Sequence, residues 1–146
     1  MPVDVLTEIV IDRPLAVVAE YSADPANAPR WYRNIAKVEW RTDPRVAPGA
    51  RVAFVARFLG RTLEYTYEVV EFRPHERLVM RSDGKPFPME TTYTWVEAGP
   101  GRTRMTLRNT GQPSGFAAVG ARALAAAMRS ANAKDLAQLK AVLESA

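Results

Sequence analysis

Phe116–Ala146, FAAVGARALAAAMRSANAKDLAQLKAVLESA, is the stretch that decides how the rest of the chain is read. It is rich in Ala and Leu and free of proline, which predicts one helix of about 28 residues and roughly 42 Å. At 100° steps, Ala121, Leu124, Ala125, Met128, Leu136, Leu139, Val142 and Leu143 share one broad face. Arg122, Arg129, Ser130, Lys134, Gln138 and Lys140 fall on its flanks and back. Two polar residues interrupt the apolar arc, Asn132 near its middle and Asp135 at its edge. A buried polar group without a partner costs about 1–3 kcal/mol, so Asn132 must bond to neighbouring backbone or border a wet cavity.

Upstream of that helix the pattern has a period of two. Val3, Val5, Thr7, Ile9 and Ile11 alternate with Asp4, Leu6, Glu8 and Val10, which predicts a first strand. Asp12 can cap a helix N-terminus and Pro14 suits a first helical turn, so a short helix is expected over about Leu15–Ser22. Ala23-Asp24-Pro25 breaks the chain, and a second short helix is expected over Ala26–Asn34, carrying Trp31 and Tyr32.

Six further strands are expected, at about Ile35–Arg41, Arg51–Leu59, Thr62–Phe72, Arg77–Ser82, Met89–Glu97 and Arg102–Asn109. The turns between them leave no room for crossover helices, so the sheet is an antiparallel meander. One face is apolar and aromatic, with Val52, Phe54 and Ala56, then Leu63, Tyr65, Tyr67 and Val69, then Met89, Thr91, Tyr93 and Trp95, then Met105 and Leu107. The opposite face is charged. The order strand, two short helices, six strands, long helix predicts an α+β fold in which a strongly curved seven-stranded sheet holds the last helix. Near the open end a pocket is expected, rimmed by the second short helix and the loops around Gly60 and Asp83–Pro88.

With 146 residues and no shift in composition, the chain reads as a single domain over 1–146. No apolar run approaches the ~20 residues needed to cross a bilayer, and Asp4 and Glu8 argue against a signal peptide, so no stable membrane insertion and a cytoplasmic location are expected. The absence of cysteine excludes disulfides and thiolate chemistry. The +4 net charge comes from 16 Arg and 4 Lys scattered through strands and turns, so no nucleic-acid partner is expected. A homodimer is compatible with the sequence.

Chemistry is sparse. The lone histidine, His75, sits in a turn beside Pro74 and is expected to face solvent, which leaves a hydrolytic triad without its base. One His, no Cys and no tight carboxylate cluster give no metal site, and glycines spread singly give no phosphate loop, so no cofactor is expected. Glu64 and Glu68 share the outer face and are expected to pair with Arg51 or Arg57. Tyr65, Tyr67 and Tyr93 on the inner face combine apolar wall with a hydroxyl that can bond a ligand. Phe54 shares that wall. Trp31 and Tyr32 are candidates for a lid, Met128 for an adaptable lining, and Asn132 for orienting a ligand.

The chain resembles the START-like superfamily, especially its bacterial polyketide cyclase/dehydrase or SRPBCC-type branch. The resemblance rests on Ile11-Asp12-Arg13-Pro14, Ser22-Ala23-Asp24-Pro25, Trp31, Gly49-Ala50-Arg51-Val52, Gly60-Arg61, Tyr65-Thr66-Tyr67-Glu68-Val69, Arg73-Pro74-His75-Glu76-Arg77-Leu78, and Trp95 followed by Gly101-Arg102-Thr103-Arg104. It implies a helix-grip (START/Bet v 1-like) fold and a lipophilic cavity. Three functions stay open at this point. The first is binding of a small hydrophobic ligand, aromatic, polycyclic or lipid-like, in the cavity between sheet and C-terminal helix, through Trp31, Tyr32, Phe54, Tyr65, Tyr67, Tyr93, Met128 and Asn132. The others are a polyketide aromatase/cyclase acting without cofactor through cavity tyrosines, and a protein-interaction module; no particular catalytic residue is assigned.

Overall fold

The computed structural model describes residues 3–58, 60–82, 88–112 and 120–145. Strand β1, Val3–Ile11, leads into helix α1, Leu15–Ala23, a 3-10 turn at Pro25–Asn27 and the one-turn helix α2, Ala28–Trp31. The remaining strands are β2, Ile35–Trp40; β3, Arg51–Phe58; β4, Arg61–Arg73; β5, Arg77–Ser82; β6, Met89–Gly99; and β7, Arg102–Gly111. Helix α3 spans Ala121–Glu144, about 36 Å at 1.5 Å per residue. Residues 116–119, at the start of the expected helix, lie outside the described residues, as does the loop segment 83–87 expected at the rim.

All strand pairs are antiparallel, in the order β1-β7-β6-β5-β4-β3-β2. The first strand therefore pairs with the last, and α3 packs across the sheet beside β1. This is the helix-grip architecture. Bulges bend the sheet at Ile35/Lys37, Val69/Glu71 and Glu97/Gly99. The one in β4 also shifts the alternation: Tyr67 and Val69 face inward before it, and Phe72 packs inward after it.

Two expectations about local caps are corrected. Asp12 does not cap α1, whose N-cap is Pro14 with no side-chain bond. Instead the Asp12 amide donates to Glu144 Oε2 at 2.7 Å, and Arg13 Nη1 donates to the Leu143 carbonyl at 2.7 Å. The β1–α1 loop thus caps α3 at its C-terminus, where unpaired carbonyls and the helix dipole favour a cation. The second helix is shorter than expected. Asp24 accepts from Ala26 N to start the 3-10 turn, and helical geometry ends at Tyr32, whose backbone is extended.

Most of the core lies under α1 and the C-terminal half of α3, where Ile11, Val18, Trp95, Met105, Leu136, Leu139 and Leu143 pack together. Inside it, Trp95 Nε1 donates to Ser22 Oγ at 2.9 Å, and Ser22 Oγ donates to the Val18 carbonyl at 2.6 Å, so both polar groups are satisfied. Leu139 is 0% exposed whereas Leu6, on the outer face of β1, is 57% exposed. Leu139→Ala should therefore destabilise the fold by about 2–5 kcal/mol, and Leu6→Ala by no more than about 0.5 kcal/mol, in urea denaturation. Equal losses at the two positions would contradict this placement of the core.

Candidate functional site

Between the sheet and the middle of α3 lies a cavity of about 160 Å³. Its sheet wall is built from inward positions on six strands. Ile35 comes from β2, Phe54 and Ala56 from β3, Tyr65 and Tyr67 from β4, Met80 from β5, and Thr91 and Tyr93 from β6. Asn109 on β7, Asn132 on α3 and Tyr32 after α2 complete it. The strand period of two accounts for the selection. Val52, Phe54 and Ala56 face Tyr67, Tyr65 and Leu63 across β3 and β4, and Thr91 stands between Asn109 and Met80.

Six of the eight residues expected at the site, Tyr32, Phe54, Tyr65, Tyr67, Tyr93 and Asn132, are thereby brought together. Two are not. Trp31 is buried behind the wall, its ring 4.1 Å from that of Tyr32 and 5.8 Å from that of Tyr93 between centroids. It ends α2 while Tyr32 begins extended backbone, and its ring packs against that of Tyr32, so that Tyr32 lines the cavity and Trp31 does not. Met128 packs with Met89, Leu124 and Ala125 against Val3 and Val5, one turn away from Asn132 and over the edge strand. The lining residues missed by the sequence reading are Ile35, Ala56, Met80, Thr91 and Asn109. Parity was an available signal for three of them. Ala56 shares a face with Phe54, Thr91 with Tyr93, and Asn109 with Met105 and Leu107.

The polar groups are paired in two sets. Asn132 Nδ2 donates to Asn109 Oδ1 at 2.6 Å, and Asn109 Nδ2 donates to Thr91 Oγ1 at 2.8 Å. The helix asparagine therefore bonds across to β7 and not to backbone. In the second set, the Tyr32 and Tyr93 hydroxyls meet at 2.5 Å. Burial pushes both phenols well above their ordinary range, and the nearby Asp135 carboxylate adds to the effect. Burial also raises Tyr67, against a hydrogen bond from Thr91 that lowers it, and raises Tyr65 at the mouth. All four phenols thus keep their protons at neutral pH.

Asp135 stands just behind the Tyr32–Tyr93 pair. Its Oδ1 accepts the Arg33 backbone N–H at 3.1 Å, which ties the chain after Tyr32 to α3. Burial, opposed by that bond and by the Arg33 charge, raises the carboxyl above the usual 3.8.

The other candidates lie elsewhere. His75, in left-handed backbone at φ 66°, pairs with Glu20 Oε2 at 2.9 Å beside a separate surface cleft floored by Phe72 and Val46. Glu64 pairs at 2.6 Å with Arg41 from the β2–β3 turn, in place of the expected Arg51 or Arg57. Among the described residues no cluster of His, Asp or Glu is suited to a metal ion, and no helix is long and apolar enough to cross a membrane.

A family model described as polyketide cyclase/dehydrase and lipid transport matches residues 2–144. Among curated proteins no sequence matches. Solved structures of the same shape include TTHA0849 from Thermus thermophilus, 19% identical, TM-score 0.82, covering 97% of each chain. The Zhui aromatase/cyclase from Streptomyces sp. R1128 is 18% identical with TM-score 0.82, covering 99% of this chain and 94% of its own. Ara h 8.0201 is 12% identical with TM-score 0.75 over 100% of both chains.

The Asp135 geometry carries a sign. Because its folded-state carboxyl is raised, the native protein holds that proton to higher pH than the unfolded chain, and the Asp135 contribution to stability falls as pH rises above about 3.8. Asp135→Asn keeps an acceptor for Arg33 N and removes the fall, so its stability relative to wild type should improve from pH 3 to pH 6. Asp135→Ala also loses the tether and should sit about 1 kcal/mol below Asp135→Asn throughout. Urea denaturation across that range checks both, and parallel curves for the Asn variant and wild type would refute the buried carboxyl.

Proposed function

The chain belongs to the polyketide cyclase/dehydrase and lipid transport family, and from that premise we propose that it binds a small, neutral, hydrophobic ligand of about one aromatic ring in the cavity between sheet and α3. One observation carries this reading: among the described residues, none of the eleven lining the cavity is charged, and most of the wall they form is ring or aliphatic surface. Such a lining rewards transfer of apolar surface from water and penalises an ion. The volume of about 160 Å³ supports the size, since a dry cavity of about 150 Å³ holds benzene. A polycyclic or lipid-like molecule needs the 300–1,000 Å³ typical of larger ligand sites, and so needs the walls to part.

The phenols favour binding over catalysis. General acid–base work is most efficient when the pKa lies near the working pH, and burial moves the cavity tyrosines the other way. A specific observation nevertheless supports a second reading as a cyclase. The paired Tyr32 and Tyr93 hydroxyls, buried against an apolar wall, form a donor able to stabilise an enolate oxygen in aldol closure. An interaction module gains little support. Among the described residues the exposed large hydrophobics are Leu6 and Val96, which lie opposite Arg108 and Arg104, four positions apart on β7.

A ring that buries roughly 150 Å² gains about 4 kcal/mol, which corresponds to a Kd on the order of 1 mM. Benzene and toluene at several times that concentration should raise Tm by about 2–4 °C, and pyrene at its solubility limit should not. Indifference to every single-ring compound would refute the cavity reading. For the second reading, Tyr93→Phe should retain toluene binding and lose turnover of a poly-β-ketone substrate at least tenfold; equal turnover, or none in wild type, rejects a cyclase working through this pair.

A further inference from the structure

The strand order leaves β2, Ile35–Trp40, paired on one side only, with β3. At the other edge of the sheet, α3 packs beside β1. In an antiparallel pair every second residue turns its N–H and C=O to its neighbour, and the residues between turn theirs outward. The Arg41 N–H donates to the Arg51 carbonyl at 2.9 Å, and the same register carries on through Glu39 opposite Ala53 and Lys37 opposite Val55. Those three residues therefore bond to β3, and Val38 and Trp40 point their backbone groups away from the sheet. Among the described residues, no backbone hydrogen bond meets Val38 or Trp40 from that open side. The bulge at Ile35/Lys37 bounds the free edge at one end, and the bend after Trp40 bounds it at the other.

An open edge is a template for another strand, and a lysine on it normally keeps one away. Here Lys37 has no ion-pair partner among the described residues, and Glu39 has only Arg41 at 3.9 Å. A second copy laid antiparallel along β2, with a twofold axis at Val38, answers both. The Val38 N–H of each copy then donates to the Val38 carbonyl of the other, and Lys37 of each stands opposite Glu39 of the other. Trp40 falls opposite Ala36, a short side chain that leaves the ring room. The Lys37 and Glu39 positions are the non-hydrogen-bonded ones, where facing side chains stand closest, so opposite charges there attract. Neighbouring registers lack this match. An axis at Glu39 sets Glu39 against Glu39 and Lys37 against Arg41, and an axis at Lys37 sets Lys37 against Lys37.

We propose that the protein forms a twofold homodimer through β2, the sheet of one copy continuing into that of the other, with the two Lys37–Glu39 contacts fixing the register. This inference goes beyond the ligand-binding reading and does not depend on it. Each copy has one such edge, so the assembly closes at two. A pair of six-residue strands is a small interface, and the dimer is accordingly weak and quick to exchange.

Sedimentation velocity of the full-length protein from about 10 μM to about 1 mM, with Lys37→Glu and Glu39→Lys as variants, tests both the edge and the register. Wild type should pass from monomer to dimer across that range. Either reversal alone turns both contacts into like-charge pairs and should weaken the dimer about tenfold. An equimolar mixture of the two variants restores both contacts, so it should associate as tightly as wild type, and so should the double variant Lys37→Glu/Glu39→Lys by itself. Both side chains are exposed, so every variant should keep the wild-type Tm, which separates a lost interface from a lost fold. A wild type that stays monomeric throughout overturns the proposal, as does a dimer that neither reversal weakens. Variants that weaken the dimer singly but stay apart when mixed overturn it too.

Discussion

A helix laid in the concave face of a sheet must bury whatever its inward positions carry, and two of those on α3 are polar. Left unpaired, each costs about 1–3 kcal/mol, a large share of the stability of a domain this size. Each is met by a different element. Asn132 bonds to Asn109 on β7, and Asp135 bonds to the Arg33 amide beyond α2. Leucines alone tolerate a helix displaced by one turn, because Leu136, Leu139 and Leu143 meet a continuous apolar surface. The two polar bonds do not tolerate it: a shift of about 5.4 Å breaks both. They therefore fix the axial position of α3, and with it the roof of the cavity.

The strand alternation does the corresponding work for charge. Its outer positions carry cross-strand ion pairs such as Asp4 with Arg108 and Arg81 with Glu90, and Glu64 on β4 pairs with Arg41 from the β2–β3 turn, all substantially exposed. Pairs of that kind contribute at most about 1 kcal/mol each, and their consequence is a solvated convex face. Among the described residues, the inner positions bring no charged side chain to the site. The net positive charge of the chain thus says little about its ligand, and the phenols at the site stay neutral because burial raises them.

The architecture was readable in the sequence because each element carries a strong periodic signal. All seven strands and the long helix fall within a few residues of the positions that alternation and the Ala-rich run imply. What failed was local and depended on partners far along the chain. Asp12 has the chemistry of a helix cap, but its amide is claimed by Glu144. The bulge at Val69/Glu71 reverses which side chains face inward, and alternation alone does not announce it. At the site, ring size was a good guide for the residues that line the cavity and a poor one for Trp31, whose ring packs against those of Tyr32 and Tyr93 instead of lining it. Thr91 and Asn109 were passed over because short polar side chains on an inner strand face look like ordinary interruptions. Their role emerges only when Asn132 arrives from the helix and donates to Asn109, which in turn donates to Thr91.

Why the cavity persists follows from the kind of residue around it. Flexible aliphatic side chains relax into a void, and the loss of packing is partly recovered. Here five of the eleven lining residues are aromatic, and four of those rings are braced by another: Phe54 and Tyr67 against each other, Tyr32 and Tyr93 against Trp31, and Tyr93 also against Trp95 at 6.2 Å. A ring locked on its flank cannot fold inward. Three of the lining residues, Ala56, Thr91 and Asn109, are too short to fill the space, and two of them are held by hydrogen bonds. Trp31, although it never meets the cavity, is thus one of the residues that keep it open. A site preformed in this way has little side-chain entropy left to lose when a ligand enters, so most of the apolar surface it buries is available as affinity.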